Sequence, residues 1–412
     1  MPSDFPVVIV GAGAAGTMAA IFAARAGKRV LLLEGTKDGG RKILISGGGR
    51  CNVLPSELDP ARYVTASSAA TMRNILRSWP LAGQVEFFER EIGLQLVREP
   101  ETGKLFPASN KARQVRDGLL AAADRAGADL EFGARVADVV KGEGGAPWIV
   151  RLESGRAIDA SAVVLATGGL SVPNTGSDGV GLRIARALGH TIHETYPALT
   201  PLTADPPPYA SLSGISPVVT LEAPAGKKKL VTRGGFLFTH RGYSGPAVLD
   251  VSHLAVQSRL RGGPPQPIYV QWTDLGAAEW ESLLDAGGTG TVANVVRRQM
   301  PVRLAEALLA NAGIDDTVTL SHLRRDARQR LVTALTHHLL PWTGDEGYKK
   351  AEVTGGGVAL GEIDPRTMES RLHPGLYLCG EILDAFGPIG GYNFLWAWVT
   401  GRAAGENVGG GR

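Results

Sequence analysis

Three glycines near the start of the chain have the spacing of a phosphate-binding turn. Gly11, Gly13 and Gly16 follow an apolar run at residues 7–10 and precede a helical run that Gly27 stops. In such a turn the first glycine permits the tight bend, the second lets backbone approach a diphosphate, and the third lets helix and strand pack closely. The start of the helix then offers unpaired N–H groups and a positive dipole end to the phosphates.

An acidic residue follows the next apolar run, where a ribose-binding carboxylate is expected. Residues 29–33 are the second candidate strand and Glu34 ends it. A carboxylate there accepts hydrogen bonds from ribose hydroxyls and repels a 2′-phosphate, so NADP is disfavoured at this site. The strand–helix–strand context therefore predicts dinucleotide binding. The alternative is an ordinary strand–helix turn without a ligand.

Three further features favour FAD over NAD. The glycine turn lies at the extreme N-terminus, and the extreme C-terminus is predicted to complete the fold. Buried strands at residues 162–166 and 375–379 run into Thr167 and Gly380, where backbone can pass close to a cofactor. A glycine loop ending at Gly391 opens the last helix, whose N-terminus would stabilise negative charge on a reduced flavin. The chain has no second full fingerprint for a separate NAD domain.

Candidate acid–base groups lie in the middle of the chain. His240, Arg241 and Tyr243 are close together in sequence, and His240 could deliver a proton near neutral pH. Arg241 could hold an anionic substrate. The alternative for His240 is a structural histidine. Cys51 could be a redox thiol, but no second cysteine lies within a few residues of it, so a packed or cofactor-contacting residue is the favoured interpretation.

Residues 39–52 form a basic, glycine-rich loop. Arg41, Lys42 and Arg50 could neutralise a diphosphate or lie in solvent. Three glycines at residues 355–357 indicate close approach of backbone to a ligand. Two tryptophans on the last helix, at positions 396 and 398, are predicted to be core residues.

The order of the elements predicts an α/β protein with a discontinuous Rossmann-type FAD-binding domain. We assign this domain to residues 1–194 and 346–412. Prolines cluster at residues 197–217 and short alternating strands follow, which predicts an inserted, β-barrel-like, β-rich domain at residues 195–274. A helical subdomain is predicted at residues 275–345.

Composition limits the remaining possibilities. The chain has 412 residues, 44% of them hydrophobic and 20% charged, which predicts a folded protein. The net charge of +3 does not demand a nucleic-acid partner. Two distant cysteines favour a reducing compartment, so a cytoplasmic location is expected, and no metal site is predicted. Residues 7–24 are apolar enough to imitate a membrane span, but their glycine spacing indicates a buried strand and helix. No signal peptide and no membrane attachment are expected.

Several longer motifs resemble one family of flavoproteins. The sequence RKILISGGGRCN at residues 41–52 is similar to the motif of the BaiN/YhiN-type NAD(P)/FAD-dependent oxidoreductases. Further similar motifs lie at residues 238–247, 351–358, 367–370 and 387–393. The resemblance runs from residue 7 to residue 405. It implies an FAD domain, a β-barrel-like domain and a helical domain.

The resemblance and the glycine fingerprint together define a candidate set of cofactor-binding residues. The set consists of Gly11, Gly13, Ala14, Ala15, Gly16, Glu34, Arg41, Lys42, Ser46, Gly48, Gly49, Cys51, Asn52, Val136, Thr167, Gly168, Gly380, Glu381, Gly391, Tyr392 and Asn393. Residues 384–387 and the bulky residues 394–398 depart from the family pattern.

The expected function is FAD-dependent oxidoreduction. Hydride would pass through flavin N5 between NADH or NADPH and an electron-poor C=C or C=O bond of a small molecule. Oxidation of a small molecule, with oxygen as the final acceptor, is the reverse alternative. A second alternative, implied by the resemblance, is reduction of uridine in ribosomal RNA. A third is a flavin-holding sensor or assembly protein without catalytic activity.

Overall fold

The computed structural model of the protein describes residues 5–142, 147–285 and 287–410. The chain divides into two compact units, one formed by residues 1–197 and 352–412 and the other by residues 198–351. The first unit contains both ends of the chain and the second is inserted into it. The separation of this insertion into a β-rich and a helical part stays a prediction.

Short strands alternate with helices in the N-terminal part of the chain. In order, the elements are β1 (Val7–Val10), α1 (Ala14–Arg25), β2 (Val30–Glu34), α2 (Arg41–Ile45), β3 (Leu54–Pro55), α3 (Ala69–Arg77), α4 (Leu81–Glu86), β4 (Leu96–Arg98), β5 (Lys104–Pro107), α5 (Ala112–Arg125), β6 (Ala128–Phe132), β7 (Val136–Lys141), β8 (Trp148–Leu152), β9 (Ala157–Ala160), β10 (Ala162–Leu165), α6 (Val180–Ala187) and β11 (Ile192–Ala198).

The remainder of the chain contains the insertion and the C-terminal return. The elements are β12 (Leu202–Thr203), β13 (Val218–Ala225), β14 (Lys228–Gly235), β15 (Leu237–Thr239), β16 (Gly242–Ser244), α7 (Pro246–Leu260), β17 (Tyr269–Gln271), α8 (Ala277–Leu283), α9 (Val292–Arg297), α10 (Val302–Ala312), α11 (Arg325–Thr336), β18 (His338–Leu339), β19 (Gly344–Asp345), β20 (Val353–Val358), β21 (Leu376–Leu378) and α12 (Tyr392–Asn407).

A parallel five-stranded sheet with the order β21–β10–β1–β2–β6 organises the first unit. Strands β1 and β10 are buried along their whole length, which explains why their sequences are continuous apolar runs rather than alternating ones. β1 lies between β2 and β10. The chain continues from β1 to β2 on one side of it and later returns as β10 on the other side. In sheets of this type ligands bind beyond the carboxyl ends of the strands at that reversal. The Rossmann-type α/β fold is therefore confirmed.

The C-terminal helix packs tightly against the first helix. A Cβ atom at Gly401 would lie 2.3 Å from the carbonyl oxygen of Ala15, and one at Gly405 would lie 2.4 Å from that of Ala19. These are four-residue steps on both helices, so one face of α12 meets one face of α1. The glycines are needed because a side chain would separate the two backbones. The last helix thus holds the first one against the sheet.

The inserted unit has its own core. Its strands form two four-stranded sheets, β15–β16–β12–β19 and β14–β13–β17–β18, and closure into a barrel stays a prediction. Aromatic side chains in the strands or directly beside them, including Phe236, Phe238 and Trp272, share one apolar cluster with residues of the helices. Phe238 stacks on Trp272 with ring centroids 5.7 Å apart. The unit therefore buries enough apolar surface to form a core of its own.

One buried histidine of this unit makes its stability depend on pH. Burial lowers the pKa of His253, on α7, from 6.5 to about 4. The unfolded chain therefore binds a proton that the folded chain excludes, and stability falls as pH drops below about 6.5. Between pH 7.5 and pH 5.0 this group should cost about 2 kcal/mol of unfolding free energy.

We expect the His253→Gln variant to lose less stability than the unaltered protein over that pH interval, by about 2 kcal/mol. Urea unfolding at both pH values measures the difference. The matched control is His322→Gln, at an exposed histidine. Parallel pH profiles for the His253→Gln variant and the unaltered protein would contradict the prediction.

Candidate functional site

The turn between β1 and α1 brings three backbone segments into close contact. Gly11 has a φ of +101°, and a Cβ atom there would lie 2.6 Å from the carbonyl oxygen of Ala166 at the end of β10. A Cβ atom at Gly16 would lie 1.8 Å from the carbonyl oxygen of Gly11. The protein itself therefore requires glycine at both positions. At Gly13, in contrast, a Cβ atom would meet no protein atom within 4 Å.

The open space at Gly13 lies at the start of α1. The first intrahelical hydrogen bond runs from the Thr17 N–H to the Gly13 carbonyl (3.0 Å). The N–H groups of Ala14, Ala15 and Gly16 thus have no acceptor within the helix. Three converging donors at the positive end of a helix form a site suited to a diphosphate. No protein atom near Gly13 explains why this position should be a glycine. A ligand in the open space beside it would explain the glycine.

Glu34 is fixed at the carboxyl end of β2. One carboxylate oxygen, Oε2, accepts a hydrogen bond from the Ala12 N–H (2.9 Å). The other, Oε1, accepts from the N–H and the hydroxyl of Thr36 (2.8 and 2.7 Å). Because a carboxylate oxygen accepts up to two hydrogen bonds, Oε2 retains capacity for a ribose hydroxyl. Val136, at the start of β7, is buried near the same edge, where the Ala134 N–H donates to the Glu34 carbonyl (2.9 Å).

The glycine-rich loop packs on the first turn. The Gly40 N–H donates to the Ala12 carbonyl (2.8 Å). Arg41 donates to Asp38 (2.9 Å) and to the Asn174 carbonyl (3.2 Å), so its guanidinium is already engaged. The Ser46 hydroxyl donates to the Ile43 carbonyl (2.7 Å).

Consecutive glycines give the loop a backbone that other residues rarely adopt. Gly47, Gly48 and Gly49 have φ values of +55°, +67° and +86°. A Cβ atom at Gly48 would meet nothing within 4 Å, so again the space beside the glycine is open.

Cys51 and Asn52 end this loop as packed residues. Burial raises the pKa of the Cys51 thiol to about 12, which keeps it protonated and poorly nucleophilic. This environment disfavours a redox role. The Asn52 amide, in the orientation that satisfies both of its ends, donates to the Leu54 carbonyl (3.2 Å) and accepts from the Gly391 N–H (3.1 Å). Asn52 therefore ties the glycine loop to the start of α12.

Lys42 belongs to a polar network that joins distant segments. Its ammonium donates to Ser171 Oγ (2.6 Å) and to Glu381 Oε2 (2.5 Å). Glu381 Oε1 accepts from the Ser171 hydroxyl (2.6 Å) and from the Thr354 N–H and hydroxyl (both 3.0 Å). Thr354 Oγ1 also accepts from the Leu170 N–H (2.7 Å). We name Lys42, Ser171, Thr354 and Glu381 the lysine network.

The sequence motifs predicted only part of this network. Lys42 and Glu381 were candidate residues, whereas Ser171 and Thr354 were not. A usable signal was present, since Ser171 follows a glycine pair at a strand end and Thr354 precedes three glycines. A Cβ atom at Gly169 would lie 2.3 Å from Thr354 Oγ1, which explains one glycine of that pair.

Two tryptophans of the last helix hold the segment at Gly380 and the end of the glycine-rich loop in place. The Trp396 indole N–H donates to the Gly380 carbonyl (3.1 Å), and the Gly380 N–H donates to Thr400 Oγ1 (2.9 Å). The Trp398 indole N–H donates to the Val53 carbonyl (3.0 Å). Both rings are buried, as predicted, and they also fix the backbone beside the lysine network and the glycine loop.

The start of α12 is a second helix N-terminus in the same unit. Gly391, with a φ of +91°, immediately precedes α12, and a Cβ atom there would lie 2.5 Å from the carbonyl carbon of Leu54. The Asn393 amide exchanges two hydrogen bonds of 2.9 Å with the backbone of Gly387. The Tyr392 hydroxyl donates to the Glu57 carbonyl (3.2 Å). The side chains of Tyr392 and Asn393 therefore shape the loop.

Two further candidates lie just after β10. Thr167 is half-buried, and Gly168 has a φ of +72°. A Cβ atom at Gly168 would lie 2.6 Å from Ser177 Oγ. Because β10 is the neighbour of β1, this segment starts beside the glycine turn.

The three candidate acid–base residues do not form a cluster. His240 and Arg241 are exposed at the turn between β15 and β16, and Arg241 lies 4.0 Å from Glu346. Tyr243 is buried among aromatic rings of the inserted unit, 5.5 Å from Phe236 between ring centroids. Burial raises the pKa of Tyr243. Their roles in catalysis stay a prediction, and Tyr243 does not share the solvent exposure of the other two.

Another group has the connectivity of a hydrolase triad. The Ser370 hydroxyl lies 3.0 Å from His190 Nε2, and His190 Nδ1 lies 3.0 Å from Glu362. However, Ser370 Oγ also accepts from the N–H groups of Leu372 (3.1 Å) and His373 (3.0 Å), and both Ser370 and His190 are buried. Its oxygen is saturated and inaccessible to a substrate. The group fixes local backbone and does not indicate hydrolysis.

Within residues 5–142, 147–285 and 287–410, no group of three or more His, Cys, Asp or Glu side chains could hold a metal ion. No helix in these ranges is long and apolar enough to cross a membrane.

Residues 5–407 match the family described as the HI0933-like protein Rossmann domain. A ribosomal RNA dihydrouridine synthase of Escherichia coli is 34% identical over 98% of both chains. A 3-dehydro-bile acid delta(4,6)-reductase of Clostridium scindens is 32% identical over 97% of both chains.

Solved structures support the fold. A 3-ketosteroid delta1-dehydrogenase from Sterolibacterium denitrificans aligns with a TM-score of 0.52 and 13% identity, covering 98% of this chain and 99% of the other. At that identity the likeness concerns the fold alone.

The glycine turn, the fixed carboxylate and the full-length match agree with one another, and they favour an enzyme over a non-catalytic flavin carrier. The chain belongs to the HI0933-like family and is a flavoprotein oxidoreductase with a Rossmann-type FAD-binding fold.

Proposed function

We propose that FAD binds with its diphosphate against the N–H groups of Ala14, Ala15 and Gly16 and its adenosine ribose against Glu34. The open space at Gly13 and the absence of intrahelical acceptors support the diphosphate position. The remaining acceptor capacity of Glu34 Oε2 supports the ribose position. The other candidate residues would line the cofactor through backbone rather than side chains, since most of their polar side-chain atoms already have protein partners.

The isoalloxazine is assigned to the region that joins the lysine network and the start of α12. Gly380 and Glu381 follow β21, and Gly391 precedes a helix of 16 residues. A helix N-terminus there would stabilise negative charge on a reduced flavin. The Lys42 ammonium would lie beside the same segment, since it donates to Glu381, the residue after Gly380. Bound FAD would supply hydride transfer at N5.

The reaction we infer is reduction of a C=C bond conjugated to a carbonyl, with NADH or NADPH as the donor. The names of the relatives support this choice, because one denotes formation of dihydrouridine and another reduction of a 3-dehydro bile acid at its delta(4,6) bonds. Both describe saturation of a C=C bond in conjugation with C=O. The alternative reactions are reduction of a C=O bond and oxidation of a small molecule.

A small molecule is the substrate we favour over RNA on electrostatic grounds. The arginine-rich segment after residue 320 pairs with acids: Arg324 and Arg330 with Asp326, and Arg328 with Glu281. Paired cations contribute little to binding of phosphates, which depends on release of counterions. Uridine in ribosomal RNA is the second candidate, because the 34% identical relative acts on ribosomal RNA according to its name.

The two buried cysteines have no disulfide partner, which supports a reducing, cytoplasmic location.

The diphosphate site predicts opposite outcomes for two alanine variants. Gly13→Ala should fold normally but bind FAD about tenfold more weakly or worse, because the added methyl group enters only the space assigned to the diphosphate. Gly16→Ala should fail to fold, since its Cβ would overlap the Gly11 carbonyl.

Flavin absorbance and the thermal midpoint of each purified variant measure these effects, and Gly361→Ala, where a Cβ atom meets nothing, is the control. Unchanged FAD affinity in Gly13→Ala would contradict the assignment.

The redox proposal predicts that NADH or NADPH bleaches the bound flavin under anaerobic conditions, and that a conjugated enone such as 2-cyclohexen-1-one restores its absorbance. A matched saturated ketone, cyclohexanone, should not. A ribosomal RNA transcript containing unmodified uridine tests the second candidate in the same assay. Reoxidation by the transcript, with binding that weakens steeply as salt rises, would favour RNA. Bleaching followed by no reoxidation by either class would contradict reduction of a conjugated C=C bond.

A further inference from the structure

The order of the parallel strands determines on which side of the diphosphate the flavin lies. The glycine turn follows β1, and Glu34, to which the adenosine ribose is assigned, ends β2 on one side of it. On the other side of β1 lies β10, and β21 lies beyond β10. The two halves of a dinucleotide extend from its diphosphate in opposite directions along the carboxyl edge of such a sheet. The flavin half is therefore expected at the ends of β10 and β21.

Three segments at this edge are each anchored to the glycine turn. A Cβ atom at Gly11 would lie 3.3 Å from the Cα atom of Thr167, in the segment after β10. A Cβ atom at Gly380, in the segment after β21, would lie 2.8 Å from the Cβ atom of Ala15. The glycine-rich loop is anchored by the hydrogen bond from the Gly40 N–H to the turn (2.8 Å).

The lysine network joins these three segments close to their anchors. Glu381 is the residue after Gly380, and Lys42 lies two residues after Gly40. Ser171 lies in the segment after β10. Hydrogen bonds of 2.5 to 2.6 Å connect the three side chains. Because the anchors all contact one turn, the network lies at the edge of the sheet where the flavin half is expected.

Within the network the carboxylate is engaged by the protein, whereas the ammonium keeps one donor. Glu381 Oε1 accepts three hydrogen bonds, and Oε2 accepts one from Lys42. A lysine ammonium has three N–H donors. Among the residues that the structure describes, Ser171 and Glu381 accept from two of them, and 25% of the Lys42 side chain is exposed. The network can therefore offer a hydrogen bond and a positive charge to a ligand.

We propose that Lys42 donates this third hydrogen bond to the isoalloxazine and that its charge stabilises the reduced form of the bound flavin. The inference rests on the proposed FAD site but concerns no substrate. Uptake of two electrons and one proton leaves negative charge on the ring system, which an adjacent ammonium favours. Glu381 is a positioning residue that holds the ammonium through Oε2. Since the two charges have opposite signs, removal of each should shift the flavin potential in opposite directions.

The equilibrium between oxidised and reduced flavin tests this role of Lys42 without a substrate. Holoenzyme is reduced slowly and anaerobically with xanthine and xanthine oxidase beside a reference dye, and the absorbance of flavin and dye is followed. Lys42→Met should shift the equilibrium about tenfold toward oxidised flavin, which lowers the potential of a two-electron couple by about 30 mV. Glu381→Gln, which leaves the ammonium uncompensated, should shift it toward reduced flavin. Lys42→Arg should restore most of the unaltered value.

Two control variants separate the effect of charge from a loss of structure. Ser171→Ala removes hydrogen bonds from the same network without changing its charge, so the equilibrium should stay almost unchanged. Lys111→Met removes a positive charge at an exposed lysine and should also leave it unchanged. A disturbed flavin site, in contrast, would move Lys42→Met and Glu381→Gln in the same direction, toward the potential of free FAD.

The possible outcomes distinguish the role of Lys42 from the proposed function. An unaltered equilibrium in Lys42→Met, or shifts of Lys42→Met and Glu381→Gln in the same direction, would overturn the role of Lys42. If Lys42→Met does not fold, Glu381→Gln must favour reduced flavin more than Ser171→Ala does, or the role is overturned. A protein that binds no FAD contradicts the diphosphate site and this role with it. The expected shifts in a holoenzyme that reduces no conjugated acceptor would support Lys42 and contradict the proposed reaction.

Discussion

The contact between Gly16 and the carbonyl of Gly11 is the constraint on which the site depends. No side chain fits between the start of α1 and the end of β1, because a Cβ atom would lie 1.8 Å from that oxygen. The helix is consequently held with its N-terminus over the carboxyl edge of the sheet, where Ala12 is also bound by Glu34. Since the Gly40 N–H binds the Ala12 carbonyl, the glycine-rich loop takes its position from the same turn.

The C-terminal helix extends this constraint to the far end of the chain. Gly401 and Gly405 let α12 pack directly on the backbone of α1, and its indole N–H groups hold the carbonyls of Val53 and Gly380. A unit of about 150 residues is inserted between these elements in sequence. The Rossmann unit is nevertheless complete, because its first and last helices support each other. The bulky residues that depart from the family pattern therefore have a structural purpose.

Local sequence patterns predicted most of the turn between β1 and α1 and the strands beside it. The glycine spacing, the apolar strands and Glu34 lie within one continuous βαβ stretch, so their geometry follows from nearest neighbours along the chain. The lysine network was only half predicted, because Lys42 and Glu381 are 339 positions apart, and the motif that contains Thr354 does not reveal which side chains it meets in the fold. Hydrogen bonds between residues so far apart in sequence depend on how the strands are ordered in the sheet.

His240, Arg241 and Tyr243 are neighbours in sequence, but the fold places them in different surroundings. Residues that are neighbours in sequence need not share a surface, since a hairpin turn exposes its tip while the following strand directs side chains into the core. Sequence therefore predicted the elements of the Rossmann turn, but it did not indicate that Tyr243 is buried while His240 and Arg241 are exposed.

Binding of the FAD diphosphate by the first helix is the proposed interaction on which the other assignments in the site depend. A crystal structure of the protein grown with FAD tests it most directly. We expect diphosphate oxygens within hydrogen-bond distance of the N–H groups of Ala14 and Ala15, in the space beside Gly13, with a ribose hydroxyl on Glu34 Oε2. FAD bound elsewhere, with side chains filling the space at Gly13, would contradict it.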